Sequence, residues 1–139
     1  MRVLAVDPGS KRIGLAVSDP TGTIANPLTV IEHVSRPLDA AAVAAIAAEQ
    51  GAGLIVVGQS LAEDGQPNFE GRSAARFAGA LQGQTGIPVR LWDEAFTTRD
   101  ARAARLSMGV KRSQRRGHLD EIAATVLLQS FLDSRSHPG

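Results

Sequence analysis

With 139 residues the chain is long enough to bury a core without covalent staples, and short enough for one domain spanning 1–139. It has no cysteine, which excludes a disulfide framework and thiolate chemistry, and no apolar run near the roughly 18 residues of a membrane span. The net charge of +1 excludes capture of a polyanion by overall charge alone. The charge is unevenly spread, however. Between Arg99 and His118 stand seven basic residues (Arg99, Arg102, Arg105, Lys111, Arg112, Arg115 and Arg116) against one acid, Asp100. A solvated face and a polyanion-binding patch both fit that run. Met1-Arg2 leads straight into an apolar stretch, unlike a signal peptide, so a cytoplasmic protein without membrane contact is expected.

Val3 to Val6 is a wholly apolar run, as expected for a strand buried on both faces, and it ends at Asp7. Pro8-Gly9 turns the chain, and Ile13 to Ser18 forms a second strand. The connection is too short for a crossover helix, so the two strands should be antiparallel neighbours. Pro20 to Thr23 is a second turn, and Ile24 to Ile31 a third strand. Pro27 within it predicts an edge position, because proline cannot donate to a ladder.

Ser35 is placed to cap a helix with Pro37 in its first turn and Gly51 at its end. Leu38, Ala42, Val43, Ile46 and Ala47 are its expected inner positions. Leu54 to Val57 is a second doubly buried strand, running out at Gly58-Gln59-Ser60. A polar loop, a helix from Phe69 to Gln82 and a strand from Pro88 to Trp92 follow, the strand leading into Asp93-Glu94. Strand, helix, strand, helix, strand is the pattern of parallel strands joined by right-handed crossovers. Thr97 to Asp100 resembles a capping box opening a helix that ends at Gly109. Lys111 to Gly117 is expected to be a basic loop. The last helix, about His118 to Asp133, carries Leu119, Ile122, Ala123, Val126, Leu127, Ser130 and Phe131 on one stripe.

On this topology Asp7, Ser60 and Glu94 end parallel strands at one edge of the sheet, where open α/β sheets place their ligands. Asp120, in the first turn of the last helix, falls on the flank of the apolar stripe and can face the same edge. Taken singly, Asp7 could merely start a turn and Asp120 could merely complement a helix dipole. Acids drawn together repel unless a cation lies between them. Mg²⁺ suits such a group, since it takes one or two carboxylates and fills its other positions with water and phosphate. Two ions about 4 Å apart can activate water and stabilise the leaving oxygen of a phosphodiester. His33, His118 and His137 are too scattered to form a zinc site.

The run Asp7-Pro8-Gly9-Ser10-Lys11-Arg12-Ile13-Gly14-Leu15-Ala16-Val17-Ser18-Asp19 resembles the opening motif of the YqgF family, Holliday-junction-resolvase-like proteins described as pre-16S rRNA nucleases. Three further blocks match in order. They are Ile55 to Gly58 with Leu61 and Asp64-Gly65, Trp92-Asp93-Glu94 with Thr97-Thr98, and His118-Leu119-Asp120 with Ala123-Ala124 and Leu127-Leu128-Gln129. The resemblance implies an α/β, ribonuclease-H-like fold with a five-stranded mixed sheet in the order 3-2-1-4-5 flanked by helices. It implies a metal-dependent endonuclease that uses Mg²⁺ or Mn²⁺ and matures the 5′ end of 16S rRNA. Carried over, the catalytic and metal-binding acids are Asp7, Glu94 and Asp120. Asp93 would point to the other face from Glu94 by strand alternation. Two departures stand out: Ala95 where the family has arginine, and Ser60 where it has proline.

Lys11 and Arg12, beside Asp7, and Lys111, Arg112, Arg115 and Arg116 are the expected contacts to substrate phosphate. With four Phe, one Trp and no Tyr, the chain offers no evident stacking platform, which favours recognition through shape and phosphate. Pre-16S rRNA is the expected partner, with a monomer or homodimer as the working form. Cleavage of branched DNA, RNA binding without catalysis, and nucleotide binding of the kind seen in two-domain sugar kinases are the competing readings.

Overall fold

The computed structural model describes residues 1–59, 69–93 and 115–136. Its centre is a five-stranded sheet in the order β3-β2-β1-β4-β5. The strands are β1 (Arg2–Pro8), β2 (Arg12–Ser18), β3 (Ala25–Glu32), β4 (Ala52–Gln59) and β5 (Val89–Asp93). The β1–β2 and β2–β3 pairs are antiparallel, while β1–β4 and β4–β5 are parallel. The meander followed by crossovers is thus as the connection lengths require. Pro27 lies on edge strand β3 opposite Ala16, at a register shift that absorbs the missing donor.

Helices α1 (Arg36–Gln50) and α2 (Phe69–Gln82) cover one face, and α3 (Arg115–Ser136) covers the other. Strand alternation divides the core between them. Leu4, Val6, Ile13, Leu15, Ile55 and Val57 pack toward α1 and α2. Val3, Ala5, Ala16, Leu54 and Val56 pack toward Ala124, Leu127, Leu128 and Phe131 of α3. The middle strands β1 and β4 are therefore buried on both faces, which is why they read as unbroken apolar runs.

The helices form near the expected positions, but α1 and α3 turn different faces inward. Ser35 caps α1, accepting from Leu38 N at 3.3 Å, and Gly51 ends it in the left-handed conformation with φ +65°. Its buried side is Asp39, Ala40, Val43 and Ala47. Leu38, 60% exposed, and Ala42 both face outward, contrary to the expected stripe. The cause is Asp39, held inward by the Val34 N–H and His33, which turns the helix so that Ala40, Val43 and Ala47 meet the sheet with Ile46 half-buried beside them.

In α2, Ala74, Phe77, Ala78 and Leu81 are buried at helical spacing. In α3 the buried stripe is Ala124, Leu127, Leu128, Phe131 and Leu132, one residue around from the expected one. Ile122, Ala123, Val126 and Ser130 lie half-buried beside it. The helix also begins at Arg115, where a loop to Gly117 was expected. One glycine costs about 1 kcal/mol relative to alanine, too little to stop a helix that the sheet anchors further along. The expected helix ending at Gly109 lies outside the described residues.

Asp19 organises the β2–β3 turn. Its Oδ1 accepts from Thr23 N and Ile24 N at 2.8 Å each, and its Oδ2 accepts from Thr21 N at 3.2 Å and from the Thr21 hydroxyl. The Ile24 N–H, then the Thr21 hydroxyl and the Thr23 N–H, hold this carboxyl well below the usual carboxylate range. A folded-state pKa below the unfolded one contributes stability that is complete above about pH 4, the unfolded value, and is lost as pH falls through the folded pKa. Asp19→Ala is therefore expected to lower the melting midpoint at pH 7. The deficit should shrink as melts followed by circular dichroism are taken below about pH 4.

Gln129 of α3 clasps the same turn. Its Oε1 accepts from Ala25 N at 2.9 Å, and its Nε2 donates to Thr23 O at 3.0 Å. At the other side of the sheet, Trp92 of β5 meets Phe131 edge-on, with ring centroids 5.3 Å apart. Helix α3 is thus fixed over the sheet at both sides. Among the described residues no helix is long and apolar enough to cross a membrane.

Candidate active site

The carboxyl ends of β1, β4 and β5 share one edge of the sheet, as their parallel pairing requires. Asp7 lies there, next to last in the central strand and opposite Gly14 of β2. It keeps step with Val3 and Ala5, so it belongs to the face covered by α3. The register runs across the sheet from Val6 to Val57 to Leu91, which brings Asp7 level with Gly58 and Trp92. Two strand spacings, roughly 10 Å, separate the ends of β1 and β5.

Trp92 packs on the α3 face with its indole N–H 3.4 Å from Ser130 Oγ, so Asp93, the next residue, falls on the opposite face. That agrees with the doubt the sequence cast on Asp93 as a partner of Asp7. Glu94 lies outside the described residues, as do Lys111, Arg112, Ser60 and Ala95. Asp120, Arg115 and Arg116 belong to the opening turns of α3, whose side chains are outside the description. Among the described residues no three His, Cys, Asp or Glu side chains form a metal-holding group. Asp7 itself offers a hard oxygen donor at the right edge, and the chain has no thiol to favour a softer ion.

The turn between β1 and β2 is tightly made. Gly9 N donates to Arg12 O at 2.9 Å, and a Cβ on Gly9 would lie 2.5 Å from that same carbonyl oxygen. The contact is with backbone, which cannot swing aside, so only glycine fits. The tight turn sets Lys11 at its exposed tip and Arg12 at the start of β2, in step with Gly14 and so on the face of Asp7. His33 N closes the outside of the turn on Lys11 O at 2.9 Å. Two cations and a carboxylate thus share one short, braced segment.

The structure adds two residues that the sequence reading had not assigned. Asp39, only 4% exposed, accepts from Val34 N at 3.0 Å and pairs with His33 Nδ1 at 2.5 Å. The signal was available: an acid in step with Ala40, Val43 and Ala47 is a carboxylate on the buried side of a helix, which needs a partner.

Over nearly its whole length the chain is 39% identical to a protein of Pelotomaculum thermopropionicum named "Putative pre-16S rRNA nuclease", covering 99% of this chain and 90% of that one. A protein of the same name from Anaeromyxobacter sp. is 41% identical, covering 97% and 98%. Among solved structures, Thermus thermophilus RuvC in complex with a Holliday junction substrate shares the fold at a TM-score of 0.59 and 21% identity, covering 98% and 96%. The fowlpox virus resolvase with Holliday junction DNA does so at 0.57 and 15%, covering 99% and 100%. The ribonuclease-H-like sheet, the strand-end aspartate and these relatives, together with a match over residues 1–134 to the model described as RuvX, Holliday junction resolvase, show that the chain belongs to the RuvX/YqgF family of nucleases.

Proposed function

We propose that the chain is a divalent-metal-dependent endonuclease that hydrolyses a phosphodiester bond in the 5′ maturation of pre-16S rRNA in the cytoplasm. Asp7, Glu94 and Asp120 are its metal-binding and catalytic acids. The observation that carries the reading is the position of Asp7: a carboxylate ending the central strand, on the face that α3 covers. Two regularities support the other acids. Glu94 has the strand parity of Trp92, which packs on that face. Asp120 precedes the buried Ala124 and Leu127 by four and seven residues, which is helical spacing on one side.

Mg²⁺ or Mn²⁺ bound there supplies a water of lowered pKa and stabilises charge on the phosphate. The chain's own residues position the strand. Lys11 and Arg12 hold a phosphate beside Asp7, and Lys111, Arg112, Arg115 and Arg116 take more distant ones. The RNA assignment rests on the names of the curated relatives. The description of the family model favours branched DNA as the second reading. A competition assay separates them: a 16S precursor with its 5′ extension should be cut with Mg²⁺ present and left intact in chelator, in the presence of excess four-way junction. Preferential cutting of the junction would replace the substrate while keeping the chemistry.

A further inference from the structure

On the opposite face of the same sheet edge, a cleft of about 380 Å³ opens between the β1–β2 turn, the start of α1 and the side of α2. Ile13 and Phe77, both core residues, form part of its floor. Its polar lining is Ser10, His33, Ser35, Arg36 and Ser73 around the buried Asp39. The pairing of His33 defines what this lining offers. Both oxygens of Asp39 act as acceptors, one toward Val34 N and one toward His33 Nδ1. The proton of that pair therefore sits on Nδ1, and Nε2 is the ring nitrogen left for a ligand. His33 is 43% exposed along its side chain, so a ligand in the cleft can reach it.

The other polar groups of the lining are donors. Ser35 Oγ accepts from Leu38 N, which leaves its hydroxyl proton to give. Arg36 is exposed at the first position of α1, and Ser10 and Ser73 are exposed residues of the lining, each with a hydroxyl. Among the described residues of the lining Asp39 is the sole carboxylate, and it is occupied. Among the described residues, one cation and three hydroxyls over a satisfied acid, with His33 beside them, make a site for an anion.

We propose that this cleft is a second phosphate site, taking a backbone phosphate of the substrate nucleic acid on the side of the sheet away from Asp7. The inference rests on the nuclease reading for the identity of its ligand. The two sites are joined by the turn itself. Asp7 is on one face, Pro8 and Gly9 line the cleft on the other, and a strand crossing the exposed turn at Ser10-Lys11 meets both. The cleft then fixes the direction in which the strand crosses the acids.

The test uses the full chain in chelator, so that binding is measured without turnover and stays informative even if Asp7 proves not to be catalytic. A single-stranded RNA oligonucleotide is titrated into ¹⁵N-labelled protein, with inorganic phosphate as a parallel probe. RNA should move the amide signals of Ser10, His33, Ser35 and Ser73. Arg36→Ala, at an exposed position, should lower RNA affinity about threefold to tenfold and reduce the slope of log affinity against log salt by about 0.7, the loss of one phosphate contact on a single strand. His33→Gln serves as a second variant, checked for folding by its melting curve, and should weaken binding similarly. Unmoved signals, or an unchanged affinity and salt slope in folded Arg36→Ala, would overturn the proposal. So would a response to inorganic phosphate with none to RNA, which would make the cleft a site for free phosphate.

Discussion

Asp7→Asn is expected to lower nucleic-acid cleavage by about a thousandfold or more while leaving the fold intact. The two side chains are nearly isosteric, and Asn keeps an oxygen for neighbouring donors, so the packing at the end of β1 should persist. What is lost is the negative charge. A hard divalent ion in contact with phosphate gains its hold chiefly from anionic oxygen, and its stabilisation of the reacting phosphate amounts to several kcal/mol. At about 1.4 kcal/mol per factor of ten, losing that stabilisation gives the magnitude stated. A second readout separates a metal role from a structural one. Mn²⁺ should broaden the amide signal of Gly14, directly opposite Asp7, in the native protein and leave it sharp in the variant. Retained cleavage in a preparation free of contaminating nuclease would remove Asp7 from the site. Broadening that persists without cleavage would keep the metal and assign Asp7 a different part in the reaction.

Asp7 was legible in the sequence because its neighbours leave few alternatives. The apolar run from Val3 to Val6 has to be a doubly buried strand, and the short turn after it makes β2 an antiparallel neighbour. The helical lengths between the later strands then require parallel pairing, which gathers the strand ends at one edge. These are consequences of chain length and hydrogen-bond geometry, and they survive errors in detail. The inward faces of α1 and α3 were less legible. Both helices are rich in alanine or apolar on several sides, so periodicity allows more than one rotation. In α1 the choice is made by Asp39, whose partner His33 lies outside the helix. Gln129 shows the same limit. It stood in the sequence as part of a matched motif without a role, and the role depends on Ala25 and Thr23, more than a hundred positions away.

The anchoring of α3 leads to the second large effect. Leu127 is fully buried, packed with Val3, Ala5, Leu54 and Val56 where the helix crosses the middle of the sheet. Leu127→Ala removes that side chain and leaves a cavity that the rigid strands cannot close, at a cost of about 3 kcal/mol. Against a total stability of about 5–15 kcal/mol this is a large loss, readable as a lower midpoint in urea with the slope unchanged. Leu81→Ala is the matched control, since Leu81 is as deeply buried in α2 on the other face and its removal should cost a similar amount. The two variants should differ in activity. Leu127 holds the helix that carries Asp120, seven residues earlier, whereas Leu81 holds a helix with none of the proposed acids. Under conditions where both variants are fully folded, Leu127→Ala should cleave more slowly and Leu81→Ala at close to the native rate. Equal loss of activity in the two would mean that rate follows global stability alone, and would detach α3 from the placement of the proposed acids.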